Sequence, residues 1–169
     1  PTEMEKAVFA AAEIDGPVYI RVARPVCEDI TTEDTPFIPG KANILKDGND
    51  VCIITMGLMV PIVLKAAEML EAEGISAAVV NMHTVKPIDA ETILAMNEKC
   101  KGIVTAEEHS VIGGLGSAVA EVLAGHAGAK FERVGIQDKF GKSGKPAELF
   151  AAYGLTAENI VEKCKATLA

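Results

Sequence analysis

The chain has no tryptophan, and its aromatic side chains amount to five Phe and two Tyr in 169 residues. A platform that stacks nucleobases needs more than that. Positive charge is scarce too. Sixteen Lys and Arg stand against 24 Asp and Glu, a formal charge of -8. Nucleic acids and anionic membrane surfaces require a basic face, so neither is expected as a partner. Cysteine is limited to Cys27, Cys52, Cys100 and Cys164, with no CxxC pair. Free, mostly buried thiols in a cytoplasmic protein are the expectation. No apolar run reaches the roughly 18 residues of a membrane span. The first fifteen residues are acidic and helical in pattern, unlike a secretory leader. His83, His109 and His126 are solitary, with no pair at ligand spacing, so no metal site is expected.

What is present is globular. Hydrophobic residues make up 49% and charged residues 24%. The opening Thr2-Glu3-Met4-Glu5 reads as a capping box, Thr2 the N-cap and Glu5 reaching back to it. Met4, Ala7, Val8, Ala11 and Ile14 follow at helical spacing, and Asp15-Gly16-Pro17 ends the helix. Pro17–Arg24 predicts a strand through Val18, Tyr19, Ile20 and Val22. From Pro25 to Gly40, three prolines and four acids without periodicity read as a solvated linker.

After the linker, strand and helix alternate. A short strand is expected at Ala42–Leu45, and apolar strands at Val51–Met56, Ser76–Met82, Gly102–Ala106 and Phe131–Ile136. Helices are expected at Val60–Glu73, from an Asp89 cap to Lys99, at Gly113–Gly125, at Pro146–Tyr153, and from a Thr156 cap to the end. Residues 41–169 therefore predict an α/β fold of three layers, a mostly parallel sheet with helices on both faces. Residues 1–24 form a helix and a strand with no sheet of their own. They read as the end of a second domain, the alternative being that the strand joins the main sheet.

Three groups of residues carry candidate chemistry. The run Gly113-Gly114-Leu115-Gly116-Ser117 opens a helix, where backbone amides attract anions. It lacks the full dinucleotide spacing, so close helix packing is the default. The Gly113–Gly125 helix has one charged residue, Glu121, and is expected to be buried on most sides, partly at an interface. Glu107, Glu108 and His109 are expected just past a strand end, where a His beside carboxylates suits a general base. Arg21 and Arg24 flank the end of the first strand, suited to phosphate or to ion pairs with the acidic linker.

Four blocks then occur in order: IRVARP at Ile20–Pro25, TVKPID at Thr84–Asp89, EEHSVIGGLG at Glu107–Gly116, and SGKPAEL at Ser143–Leu149. Together they resemble the C-terminal part of transketolases, over essentially the whole chain. Deoxyxylulose-phosphate synthases and 2-oxoacid dehydrogenase beta subunits share parts of the pattern. The resemblance implies that 1–24 is the end of a pyrimidine-binding domain, 25–40 a linker and 41–169 the C-terminal domain. It implies an enzyme that transfers a two-carbon ketol unit from a ketose phosphate to an aldose phosphate, with thiamine diphosphate and Mg2+ or Ca2+, in the pentose phosphate pathway. The family's GDG cofactor motif is not in this chain, and its catalytic glutamate lies upstream. No catalytic, cofactor-binding or metal residue is therefore assigned here, and the chain alone is expected to be inactive. By resemblance Arg24 binds substrate phosphate, and His109, Gly113, Gly114 and Gly116 are packing or interface elements at the edge of the site. The implied partners are an N-terminal part or subunit and a second copy in a homodimer. Two alternatives stand beside this one: a non-catalytic assembly or regulatory module of the same fold, and the tail of one of the related enzymes.

Overall fold

The computed structural model describes residues 1–169. Five strands form one sheet: β1 (Asn43–Lys46), β2 (Val51–Thr55), β3 (Ala77–Asn81), β4 (Gly102–Ser110) and β5 (Lys130–Ile136), in the order β1-β3-β2-β4-β5. Only β1 runs antiparallel to its neighbour; β2, β3, β4 and β5 are parallel. Six helices complete the fold: α1 (Thr2–Ala12), α2 (Met59–Ala72), α3 (Ala90–Lys99), α4 (Leu115–Leu123), α5 (Pro146–Ala152) and α6 (Ala157–Leu168).

Side chains alternate across a strand, so β2 serves two cores. Val51 and Ile53 join Val79 and Val104 against α2 and α6, where Val63, Leu70, Ile160 and Cys164 are fully buried. Cys52 and Ile54 join Ala78, Val80 and Ile103 on the other face, against Ile93 and Met96 of α3 and Leu115 and Val119 of α4. The expected three layers are therefore observed. Asp89 caps α3 by accepting from the Thr92 amide (3.2 Å), and its other oxygen accepts from the Ala42 amide (2.9 Å), tying β1's approach to α3. Thr156 caps α6 through the Asn159 amide.

Several expectations are corrected. The capping box at Thr2 does not form. Thr2 instead donates its amide (3.0 Å) and hydroxyl (2.6 Å) to Asp29, a carboxylate 27 residues away. The helix starts one residue earlier than expected, the Glu5 amide donating to the Pro1 carbonyl at 3.0 Å, and the Asp29 carboxylate adds negative charge at its positive end. Residues 25–40 form no helix or strand, yet they are not merely solvated. The Lys6 ammonium donates to the carbonyls of Thr32, Glu33 and Thr35 at 2.6–2.8 Å, and Thr31 is buried. The strand expected over 17–24 is absent, because those residues pair with no strand of this sheet or any other. Strand propensity without a partner's donors and acceptors makes no strand. Finally, α4 is shorter than expected and buries only Leu115, Gly116 and Val119.

Candidate functional site

The parallel strands β2, β3 and β4 end on one edge of the sheet, where open α/β folds place their ligands. β4 runs further than its apolar core predicts. A register shift between Ala106 and Ser110 lets it continue beside β5, so Glu107, Glu108 and His109 lie within the strand rather than past its end. Alternation then sends the two neighbouring carboxylates to different surroundings.

Glu107 points inward and is 1% exposed. Its Oε2 accepts from the Leu115 amide and its Oε1 from the Gly116 amide, both at 2.8 Å. These are unpaired donors at the start of α4, the positive end of its dipole. The anion held there is thus the chain's own side chain. Gly114 makes the approach sterically feasible, since a Cβ there would lie 2.0 Å from Oε2. Gly116 lets α4 sit on the sheet; its Cβ would meet Thr105 Oγ1 at 2.7 Å and Arg133 Cδ at 2.8 Å. Gly113 turns the loop with φ +75°, and its amide donates to Ser117 Oγ at 2.9 Å. The Ser117 hydroxyl and the Arg133 guanidinium both donate to the Val111 carbonyl, at 3.0 and 2.8 Å.

Glu108 points the other way and is 14% exposed. It forms an ion pair with Arg21 at 3.5 Å. Arg21 therefore does not pair with the acidic linker. Arg24 is exposed and makes no hydrogen bond or ion pair. His109 does not join the carboxylates as a general base would. Both of its ring nitrogens are buried without a partner. His83 stacks on Phe37, ring centroids 4.2 Å apart, and its Nδ1 shares a hydrogen bond with Thr84 Oγ1 at 2.9 Å. Burial pushes the His83 imidazole below its ordinary pKa.

The roles of Glu107 and Glu108 were not read from the sequence. One signal was there. A glycine pair opens α4 with no Ser, Thr, Asp or Asn at the N-cap, so its amides need an acceptor from elsewhere in the chain. The residues present do not fit a cofactor diphosphate or its metal. The glycine-rich helix start is already bonded to Glu107, and no three His, Cys, Asp or Glu side chains gather into a metal-binding group.

Residues 40–160 match the family described as transketolase, C-terminal domain. The chain is 48% identical over 147 residues to a 6-deoxy-6-sulfo-D-fructose transketolase subunit of Clostridium sp. (strain MSTE9), covering 87% of this chain and 46% of that protein. It is 39% identical over 167 residues to one of the subunits of the apulose-4-phosphate transketolase of Phocaeicola vulgatus, covering 98% and 52%. Among solved structures it resembles a split gene transketolase described as an inactive beta4 tetramer. There the TM-score is 0.94 at 47% identity, over 99% of this chain and 55% of that one. The chain thus spans about half the length of these relatives. With a matching fold and a family match over most of its length, the chain belongs to the transketolase C-terminal domain family.

Proposed function

We propose that this chain is the C-terminal portion of a transketolase. Together with an N-terminal part, continuous or supplied as a separate subunit, it transfers a two-carbon ketol unit from a ketose phosphate to an aldose phosphate, as in the pentose phosphate pathway. Thiamine diphosphate and its Mg2+ or Ca2+ belong to that assembly and are held by residues outside this chain. Residues 1–24 are the end of a pyrimidine-binding domain, 25–40 the linker and 41–169 the C-terminal domain. The chain alone is inactive. It contributes packing between domains and across a homodimer, and one residue for the sugar phosphate.

The observation that carries this reading is Arg24, an exposed guanidinium with no partner of its own, in the same extended segment as Arg21 beside the C-terminal sheet edge. A planar fork of donors suits a terminal phosphate or sulfonate. The relatives named above are transketolases of sugars that carry such groups, a 6-sulfo and a 4-phosphate substituent. The test is reconstitution with the N-terminal part, followed by an assay of ketol transfer between sugar phosphates. In that assembly Arg24→Ala is expected to raise KM for phosphorylated sugars by roughly tenfold to over a hundredfold, the loss of one charged hydrogen bond. An unchanged KM removes Arg24 from the site. Absence of transfer by the wild-type assembly removes the reading itself.

A further inference from the structure

Residues 15–28 make no backbone or side-chain hydrogen bond to the rest of the chain. Within that stretch one polar tie exists, the 3.5 Å ion pair from Arg21 to Glu108. All residues from Arg21 to Asp29 are exposed. The segment containing Arg24 is thus attached to the domain at one charged point.

That point has a firm base. Glu108 is the direct neighbour of Glu107, whose carboxylate is bonded to two amides of α4. β4 pairs with β5 up to Ala106 and again at Ser110, opposite Ile136. The backbone that presents Glu108 is therefore held between the β5 pairs at Ala106 and Ser110 and, through the Glu107 carboxylate, by α4. Arg21 and Arg24 are three residues apart, so even in an extended chain their Cα atoms are at most about 11 Å from each other. Anchoring the first restricts the second to a small volume next to the sheet edge. A guanidinium already confined there loses less freedom on binding an anion than one on a free segment.

We propose that Glu108 is a positioning residue for the sugar phosphate: by pairing with Arg21 it docks the 17–24 segment onto the C-terminal domain and so places Arg24. This rests on the reading that Arg24 binds the substrate phosphate. It gives the C-terminal domain a part in substrate recognition that acts through Arg21 and Arg24.

The experiment uses the reconstituted assembly with two probes, a ketose phosphate and the same ketose without its phosphate. Glu108→Gln and Arg21→Gln should each raise the ratio of KM for the phosphorylated probe to KM for the unphosphorylated one by roughly threefold to fivefold, the range of one part-buried ion pair. The charge-exchanged variant, Arg21→Glu with Glu108→Arg, should bring the ratio back towards the wild-type value. A general packing defect would move both KM values and kcat together, and exchange would not repair it. The proposal is overturned if Glu108→Gln leaves the ratio unchanged while Arg24→Ala raises it, which leaves the functional reading intact. It is also overturned if Arg21→Gln alone raises the ratio, since Arg21 would then be the phosphate ligand itself. An Arg24→Ala ratio equal to wild type overturns both the proposal and the phosphate role on which it rests.

Discussion

Removing the Glu107 carboxylate is expected to be among the most damaging single changes in the domain. In Glu107→Ala, the amides of Leu115 and Gly116 lose their acceptor at 2.8 Å each, and both residues are buried. A hydrogen bond to a charged group contributes about 1.5–3 kcal/mol. Two such bonds, partly recovered by water entering the space, suggest a loss of about 3–5 kcal/mol. Domains have roughly 5–15 kcal/mol in total, so this is a large share. At about 2–4 °C per kcal/mol for a chain of this size, Tm should fall by roughly 6–20 °C. Glu107→Gln keeps one acceptor oxygen but turns an NH2 towards the other amide, and should lose an intermediate amount. Formate has the shape of the missing carboxylate, and added to Glu107→Ala it should recover part of the lost Tm by binding the open amides. The assay is thermal unfolding by circular dichroism at constant ionic strength, with chloride as the control anion. A Tm for Glu107→Ala within about 2 °C of wild type would refute the reasoning, because solvent would then satisfy α4 as well as the carboxylate does.

Other outcomes follow from the same structure. Only Cys27 is exposed, whereas Cys52, Cys100 and Cys164 are buried, and burial pushes the Cys164 thiol up to about 12. A thiol reagent should therefore modify one cysteine rapidly in the native protein and all four after denaturation; fast reaction at a second site contradicts the packing. Burial lowers the His83 pKa, so between that value and the ordinary one the unfolded chain binds the extra proton. Stability contributed by neutral His83 is complete above the unfolded pKa and is lost as pH falls through that window towards the folded pKa. Tm should drop between pH 7.5 and 5, and the drop should shrink in His83→Gln; an identical drop in both proteins removes His83 from the effect. Lys6→Met takes away the ammonium that collects three carbonyls of residues 32–35, and should speed cleavage at Glu28 and Glu33 by a Glu-specific protease. Equal cleavage rates would mean the loop is ordered without Lys6.

The sheet and its helices were readable in the sequence because their signals are local and repeated. Val51–Thr55 and Ala77–Asn81 are apolar on both faces, and Gly74 stops α2 with φ +80°. What the sequence concealed depends on partners distant along the chain. Thr2 looks like a cap because Glu5 stands three residues on, but its amide and hydroxyl donate to Asp29, and Pro1 is the N-cap instead. Val18–Val22 has the composition of a strand and no strand beside it. The end of β4 was unreadable because charged residues there suggest a loop, whereas one is buried by α4 and the next is paired with Arg21. The site is legible only once alternation along β4 is combined with the neighbours on each side. Neither Glu107 nor Glu108 carries a motif that would announce its partner.

The clamp on α1 has a consequence for association. Its polar side is secured: Thr2 to Asp29, Glu3 to Asn81, Lys6 to the loop carbonyls. Met4, Ala7, Ala10 and Ala11 are half-buried, whereas Glu5, Val8, Phe9 and Ala12 are left on the outside, with Phe9 68% exposed, so two of the helix's large apolar side chains face outward. Its backbone is already ordered before anything covers that side. Most of the conformational freedom that a flexible arm surrenders on docking has been lost during folding, at about 1–2 kcal/mol per residue of backbone. Whatever packs on Val8 and Phe9 meets a rigid ridge, and its affinity is reduced only by the freedom of the two bodies and of the covering side chains.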